Sequence, residues 1–194
     1  IVPQDPNNPL AIIGGCRDGG YATKILIPAV QCVKLPDNVS YIQGAVGTDA
    51  GATTYHALFT VGGLKAGMKV GIIGVGGLGQ FGVQMANIAG CEVYAADNNE
   101  DARKLAEELG CKKVYADANE LKNDNLEVII DFAGFNATVK AATSSVAYGG
   151  TVVVVGLGQM SLGEETDVKI NINDGSKIVE VTPGGNLLTT LAAE

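Results

Sequence analysis

The sequence predicts an α/β fold built on a doubly wound parallel sheet, and three observations carry the prediction. Short β-branched runs alternate with helix-periodic segments from about residue 70 to residue 155. A glycine cluster sits at the first junction between such a strand and such a helix. Thr151 to Val155 is an unbroken β-branched run, the composition of a strand covered on both faces. Strands separated by helical segments imply crossover connections, and hence a parallel sheet with helices on both sides.

Each element has its own reason. Residues 1 to about 44 are loop-rich. The opening Ile1-Val2-Pro3-Gln4-Asp5-Pro6 reads as an extended loop entered midway, which suggests a piece of a longer chain. Tyr21 to Pro28 alternates in part and is a strand candidate, and Lys34 to Ser40 holds turn and helix-start signals. Asp49 to Thr60 is helix-like, with Tyr55, Leu58 and Phe59 as its apolar positions. Val70 to Ile73 is a short buried strand. Leu78, Phe81, Gly82, Met85 and Ala89 then recur at helical spacing until Gly90 stops them. Cys91 to Ala96 is the next strand, closed by Asp97. Glu100 to Leu109 is a helix with Ala102, Leu105, Ala106 and Leu109 inward and Gly110 past its end. Val114 to Ala116 is a brief strand, followed by a polar helical segment through Asn123. Val128 to Ala133 is a buried strand. Asn136 to Ala147 is a helix ended by Gly149-Gly150. Beyond Gly158 the pattern weakens: Val168 to Ile172 and Lys177 to Val181 are edge-strand candidates, and Leu187 to Glu194 is a last helical turn or two.

Composition narrows the function classes. The chain has 194 residues, 46% of them apolar and 18% charged, which excludes a disordered segment. A net charge of −8 argues against a nucleic-acid partner, which needs clustered Lys and Arg. No apolar run reaches membrane-spanning length and no signal peptide opens the chain, so the expected location is the cytoplasm. Cys16, Cys32, Cys91 and Cys111 are widely spaced, with no C-x-x-C pair, and read as reduced, incidental thiols.

The chemistry concentrates at Gly74-Val75-Gly76-Gly77-Leu78-Gly79, a G-x-G-x-x-G run placed between a strand and a helix. Gly74 allows the tight turn, Gly76 the approach of backbone to a pyrophosphate, and Gly79 the close packing of helix on strand. The amides and positive dipole end at the helix start favour phosphate. Asp97 ends the next strand about 20 residues later, where a carboxylate accepts from adenosine ribose hydroxyls and repels a 2′-phosphate. Asn98 and Asn99 follow it where an arginine would suit NADP. The expected ligand is therefore NAD, in a Rossmann-type sheet. The bland alternative is a glycine turn with Asp97 capping the helix at Glu100.

Taken together, these residues resemble the medium-chain, zinc-containing alcohol dehydrogenases. The resemblance spans roughly residues 14 to 158. It rests on Gly19-Gly20-Tyr21-Ala22 with Pro28, on Val33-Lys34-Leu35-Pro36-Asp37-Asn38-Val39-Ser40, on Asp49 to Leu58, and on Leu64-Lys65-Ala66-Gly67-Met68-Lys69-Val70 running into the glycine loop. It implies that residues 1–44 are a remnant of the catalytic (GroES-like) domain and linker, 45–182 an NAD-binding domain and 183–194 a C-terminal segment. It implies cofactor contacts at Thr53, Gly74, Gly76, Gly77, Leu78, Gly79, Asp97, Asn98, Phe132, Ala133, Gly134, Val155, Gly156 and Leu157. Asp49 stands where that family has a catalytic zinc ligand, and equally reads as a helix cap. The family's remaining zinc ligands and its four-cysteine zinc lobe have no counterpart here, so zinc is expected only in a complete protein. His56 is the sole histidine and reads as a packing or surface residue. The implied reaction is hydride transfer between a small alcohol and NAD, with an aldehyde or ketone as product, in a homo-oligomer. A zinc-independent quinone- or enoyl-type reductase and a non-catalytic dinucleotide-binding module are the alternatives.

Overall fold

The computed structural model describes residues 7–8, 11–158, 177–181 and 187–191, the last two as backbone strands. The chain divides into two units, Ile1–Ala45 and Val46–Glu194.

The first unit is irregular. It holds a short 3₁₀ turn, Ala29–Gln31, and an isolated bridge between Ile13 and Arg17. The strand expected over Tyr21–Pro28 does not form. A strand needs a neighbour to satisfy its N–H and C=O groups, and no described segment of this unit pairs with it; Tyr21 and Leu26 are fully exposed. The turn at Lys34–Ser40 does form, and it leads into helix α1 (Tyr41–Val46). The entry to α1 is a reciprocal cap: the Gln43 N–H donates to Ser40 Oγ (3.2 Å) and the Ser40 N–H to Gln43 Oε1 (2.8 Å).

The second unit begins with wide π-type turns over Gly47–Gly51 and His56–Val61, on either side of α2 (Ala52–Tyr55). Parallel strands and helices then alternate: β1 (Lys69–Ile73), α3 (Gly79–Ile88), β2 (Glu92–Ala96), α4 (Glu100–Glu108), β3 (Lys113–Tyr115), a 3₁₀ segment Ala118–Asn123, β4 (Leu126–Asp131), α5 (Asn136–Ser145) and β5 (Val146–Val154). β6 (Lys177–Val181) runs parallel to β5, and β7 (Leu187–Leu191) antiparallel to β6. The sheet order is β3-β2-β1-β4-β5-β6-β7, so the doubly wound parallel architecture is the one expected from sequence.

The strands alternate between two covered faces. Val70, Ile72, Val93, Ala95, Val128, Ile130 and Val153 join Val83 and Ala86 of α3 and Ala106 of α4 in one core. Ile73, Tyr94, Ala96, Ile129, Val152 and Val154 join Leu121, Val139 and Ala142 in the other. The buried stripe of α3 is Gly79, Gly82, Val83 and Ala86, with Leu78, Phe81, Met85 and Ala89 flanking it. Small residues lie at the centre because β1 and the glycine turn approach this helix closely. A Cβ added to Gly79 would lie 1.8 Å from the Gly74 carbonyl oxygen.

Three elements differ from expectation. α5 stops at Ser145 and β5 starts at once, so Gly149 and Gly150 lie inside a strand; Gly149, at φ +74°, accompanies a register shift against β4 between Leu126 and Val128. Lys177–Val181 is not an edge strand, because β7 pairs outside it. Leu187–Leu191 is a strand and not a helical turn. Its two threonines suit an extended backbone, and β6 supplies the ladder that a five-residue helix would lack. Val168–Ile172 lies outside the described residues. Among the described residues no helix is long and apolar enough to cross a membrane.

Candidate functional site

The C-terminal ends of β1, β2, β4 and β5 meet at one edge of the sheet, and the glycine loop leaves from β1. Gly74 turns the chain at φ +84°, donating its N–H to the Ala96 carbonyl of β2 (2.9 Å). Gly76 and Gly77 are exposed, and a Cβ at either would meet nothing within 4 Å. The N–H groups of Gly76, Gly77 and Leu78 donate to no acceptor among the described residues. These are the orphan donors of a helix start, and beside Gly76 and Gly77 the backbone is open. The Leu78 carbonyl accepts from the Thr54 hydroxyl (3.2 Å), which ties the loop to α2.

Asp97 lies beside this loop at the end of β2. Its Oδ2 accepts from the Val75 N–H (2.7 Å) and its Oδ1 from the Asn99 N–H (2.8 Å). Arg103 Nη1 donates to the Asp97 carbonyl (2.9 Å). Each carboxylate oxygen thus spends one lone pair on backbone and keeps one for a ligand. Asp97 does not cap α4. Asn99 does, accepting from the Asp101 N–H (2.8 Å) and the Ala102 N–H (3.2 Å). Asn99, two residues nearer the helix, reaches those amides, while the side chain of Asp97 is held back toward the glycine loop.

A cleft of about 290 Å³ opens here. One wall carries Asp97, Asn98 and the Ala116–Asn119 stretch beyond β3; the other carries Ala133, Phe135 and Thr138 at the start of α5. Six alanines and Phe135 make up half of the lining, with Asp97, Asn98, Asp117 and Asn119 as the polar groups of one wall and Thr138 that of the other. The cleft brings Gly74, Asp97, Asn98 and Ala133 together. Phe132 turns away from it, with its ring against Gly82 of α3. Gly134 packs on Gly156, Val155 is buried in the core, and Leu157 is exposed. Sequence reasoning passed over Ala116, Phe135 and Thr138. The rule that ligands bind beyond strand C-termini points to all three, since each follows β3 or β4.

Asp131, the last residue of β4, is fully buried. Its Oδ1 accepts from the Ala133 N–H (2.9 Å) and the Gly134 N–H (3.0 Å), and its Oδ2 from the Thr138 hydroxyl (2.7 Å). Burial pushes its carboxyl above the usual range, against the opposing pull of these three hydrogen bonds. This residue was read from sequence only as part of a strand.

Asp49 lies inside a helical turn and not at its start, so it is no cap. It is exposed, and its Oδ1 accepts from the Thr53 hydroxyl (3.2 Å). Thr53 is buried. Among the described residues no three His, Cys, Asp or Glu side chains gather as a metal site. Asp49 alone does not hold zinc, which takes four ligands, so the described residues do not make up a zinc centre.

Comparison with known proteins agrees with the fold. The model of the family described as zinc-binding dehydrogenase matches residues 77–185. The chain is 38% identical to an alcohol dehydrogenase of Geobacillus stearothermophilus, over 81% of this chain and 48% of that protein. Among solved structures, acetophenone reductase from Geotrichum candidum in complex with NAD is 29% identical at a TM-score of 0.71, covering 86% of this chain and 48% of that one. CAD from Helicobacter pylori complexed with NADP(H) is 26% identical at a TM-score of 0.73, covering 91% and 48%. The chain thus spans about half the length of the relatives it matches.

Proposed function

We propose that this chain, which belongs to the zinc-binding dehydrogenase family, is the NAD-binding portion of an alcohol dehydrogenase-type oxidoreductase. The observation that carries the reading is the glycine loop, with unpartnered amides at Gly76, Gly77 and Leu78, tied through the Val75 N–H to the half-engaged carboxylate of Asp97, which with Gly74 lines the cleft. The residues fit a dinucleotide. The open space over Gly76 and Gly77 admits a diphosphate against backbone. The free lone pairs of Asp97 suit ribose hydroxyls, and the alanine-lined walls suit a flat base. Bound NAD would supply the hydride chemistry, and the chain's own residues bind and orient it.

The remaining assignments belong to the same reading. It assigns Thr53, Val155, Gly156 and Leu157 to the nicotinamide end and Gly79 to the loop. Residues 1–44 are read as catalytic-domain remnant and linker, 45–182 as the dinucleotide domain and 183–194 as the C-terminal segment. Asp49 is read as a zinc ligand, with zinc bound only in the complete protein. The alcohol dehydrogenase of Geobacillus stearothermophilus supports a small alcohol, aldehyde or ketone as substrate. A homo-oligomer in the cytoplasm completes the picture.

The test is a fluorescence titration of the chain with NADH and with NADPH. CAD from Helicobacter pylori is solved with NADP(H), whereas the carboxylate of Asp97 here repels a 2′-phosphate. NADH is expected to bind at least about tenfold more tightly than NADPH, a difference of about 1.4 kcal/mol. Absence of binding at millimolar NADH, or a preference for NADPH, contradicts the reading.

A further inference from the structure

The buried carboxylate of Asp131 has no part in the ligand contacts above, yet it organises one wall of the cleft. Oδ1 gathers the amides of Ala133 and Gly134, and Oδ2 takes the hydroxyl of Thr138, which in turn accepts from the Phe135 N–H (3.0 Å). Its backbone carbonyl accepts from the Val155 N–H (2.8 Å) and the Gly156 N–H (3.1 Å). One residue therefore joins the end of β4 to the first turn of α5 and to the end of β5. The turn it holds has little room to adjust. Gly134 sits at φ +69°, and a Cβ there would lie 2.1 Å from the Gly156 oxygen. On the other side, a Cβ at Gly74 would come within 3.4 Å of the Ala133 nitrogen, so the turn also abuts the start of the glycine loop. Ala133, Phe135 and Thr138 all face the cleft.

The geometry points to Asp131 and Thr138 as a positioning pair that sets the Phe132–Phe135 turn as the cleft wall opposite Asp97. They do so by satisfying the turn's amides from beneath, without touching the ligand through the carboxylate. This inference rests on the dinucleotide reading and extends it to a residue behind the site. The carboxylate serves as a multiple acceptor here. An asparagine, whose oxygen still receives the two amides, should stand in for it, and a serine should stand in for Thr138. Alanine at 131 or valine at 138 should not.

The test measures NADH affinity by fluorescence titration and amide hydrogen exchange by NMR on the same chain, without ligand. Asp131→Ala is expected to speed exchange at Ala133 and Gly134 at least about tenfold and to weaken NADH at least about tenfold, while the amides of β1 and β4 stay protected. Asp131→Asn and Thr138→Ser are expected within about threefold of wild type on both readouts. If Asp131→Ala loses protection throughout the sheet, Thr138→Val decides, since it keeps the carboxylate and both amide bonds; it is expected to weaken NADH about three- to tenfold with β1 and β4 protected. Unchanged NADH affinity in Thr138→Val overturns the inference, as does faster exchange in Asp131→Ala with affinity intact. So does a loss in Asp131→Asn equal to that in Asp131→Ala. Failure of the wild-type chain to bind NADH overturns the dinucleotide reading and this inference with it. Unchanged variants beside a wild type that binds overturn the inference alone.

Discussion

Gly79 and Asp131 show how single residues decide this site. Gly79 has no room for a methyl group, because its Cβ would fall 1.8 Å from the Gly74 oxygen, a backbone atom that cannot swing aside. Gly79→Ala should therefore part α3 from the loop, lowering stability by about 1–3 kcal/mol and weakening NADH at least tenfold; thermal unfolding with and without NADH checks both. An alanine variant as stable as wild type would refute the close approach. For Asp131 the sign of the pH effect follows from its raised carboxyl. Burial penalises the charged form in the folded state more than the hydrogen bonds favour it. Its contribution to stability is full below the unfolded aspartate value, about 3.9, and is lost as pH rises through the higher folded value. Denaturant titrations from about pH 4 to pH 7 should show wild type losing stability relative to Asp131→Asn as pH rises. A difference that is flat or of opposite slope contradicts it.

At the scale of elements, α4 shows how much a short polar side chain settles. Asn99 satisfies two of the four amides left open at that helix start, and Glu100 and Asp101 follow it in the first turn. Asn99→Ala should cost about 1 kcal/mol in denaturant unfolding, while Asn99→Asp should stay within a few tenths. Equal losses in the two variants would remove the capping role. Capping here also serves the site. Because Asn99 holds the helix, Asp97 is left to bind the Val75 and Asn99 amides and to keep lone pairs toward the cleft. From sequence Asp97 is the cap candidate; the folded chain gives the cap to Asn99 and turns Asp97 to the Val75 amide.

At the scale of the whole molecule, one packed face of the sheet controls two thiols, since Cys91 and Cys111 both lie in the core that α3 and α4 cover. Cys111 is pushed up to about 12 by burial, and Cys91 is raised by burial first and by the charge of Glu127 second. Both should stay protonated, and so slow toward iodoacetamide, at pH 8, while exposed Cys32 is alkylated first. Peptide mapping after brief labelling reads this directly; Cys111 modified as fast as Cys32 would contradict it.

The same scale separates what was legible in the sequence from what was not. The order of strands and helices from Val70 to Val154, the glycine loop and the acid at the end of β2 could be read from the chain, because each rests on local periodicity or on spacing along a single βαβ unit. Tyr21–Pro28 and Leu187–Leu191 could not, because whether an alternating segment becomes a strand depends on whether a neighbour offers a ladder. β6 offers one to β7, and no described segment offers one to Tyr21–Pro28. Asp131, Thr138 and the cleft wall were likewise hidden. Their roles arise where the ends of β4 and β5, the glycine loop and the first turn of α5 converge, and only the folded chain decides which buried carboxylate receives which amide.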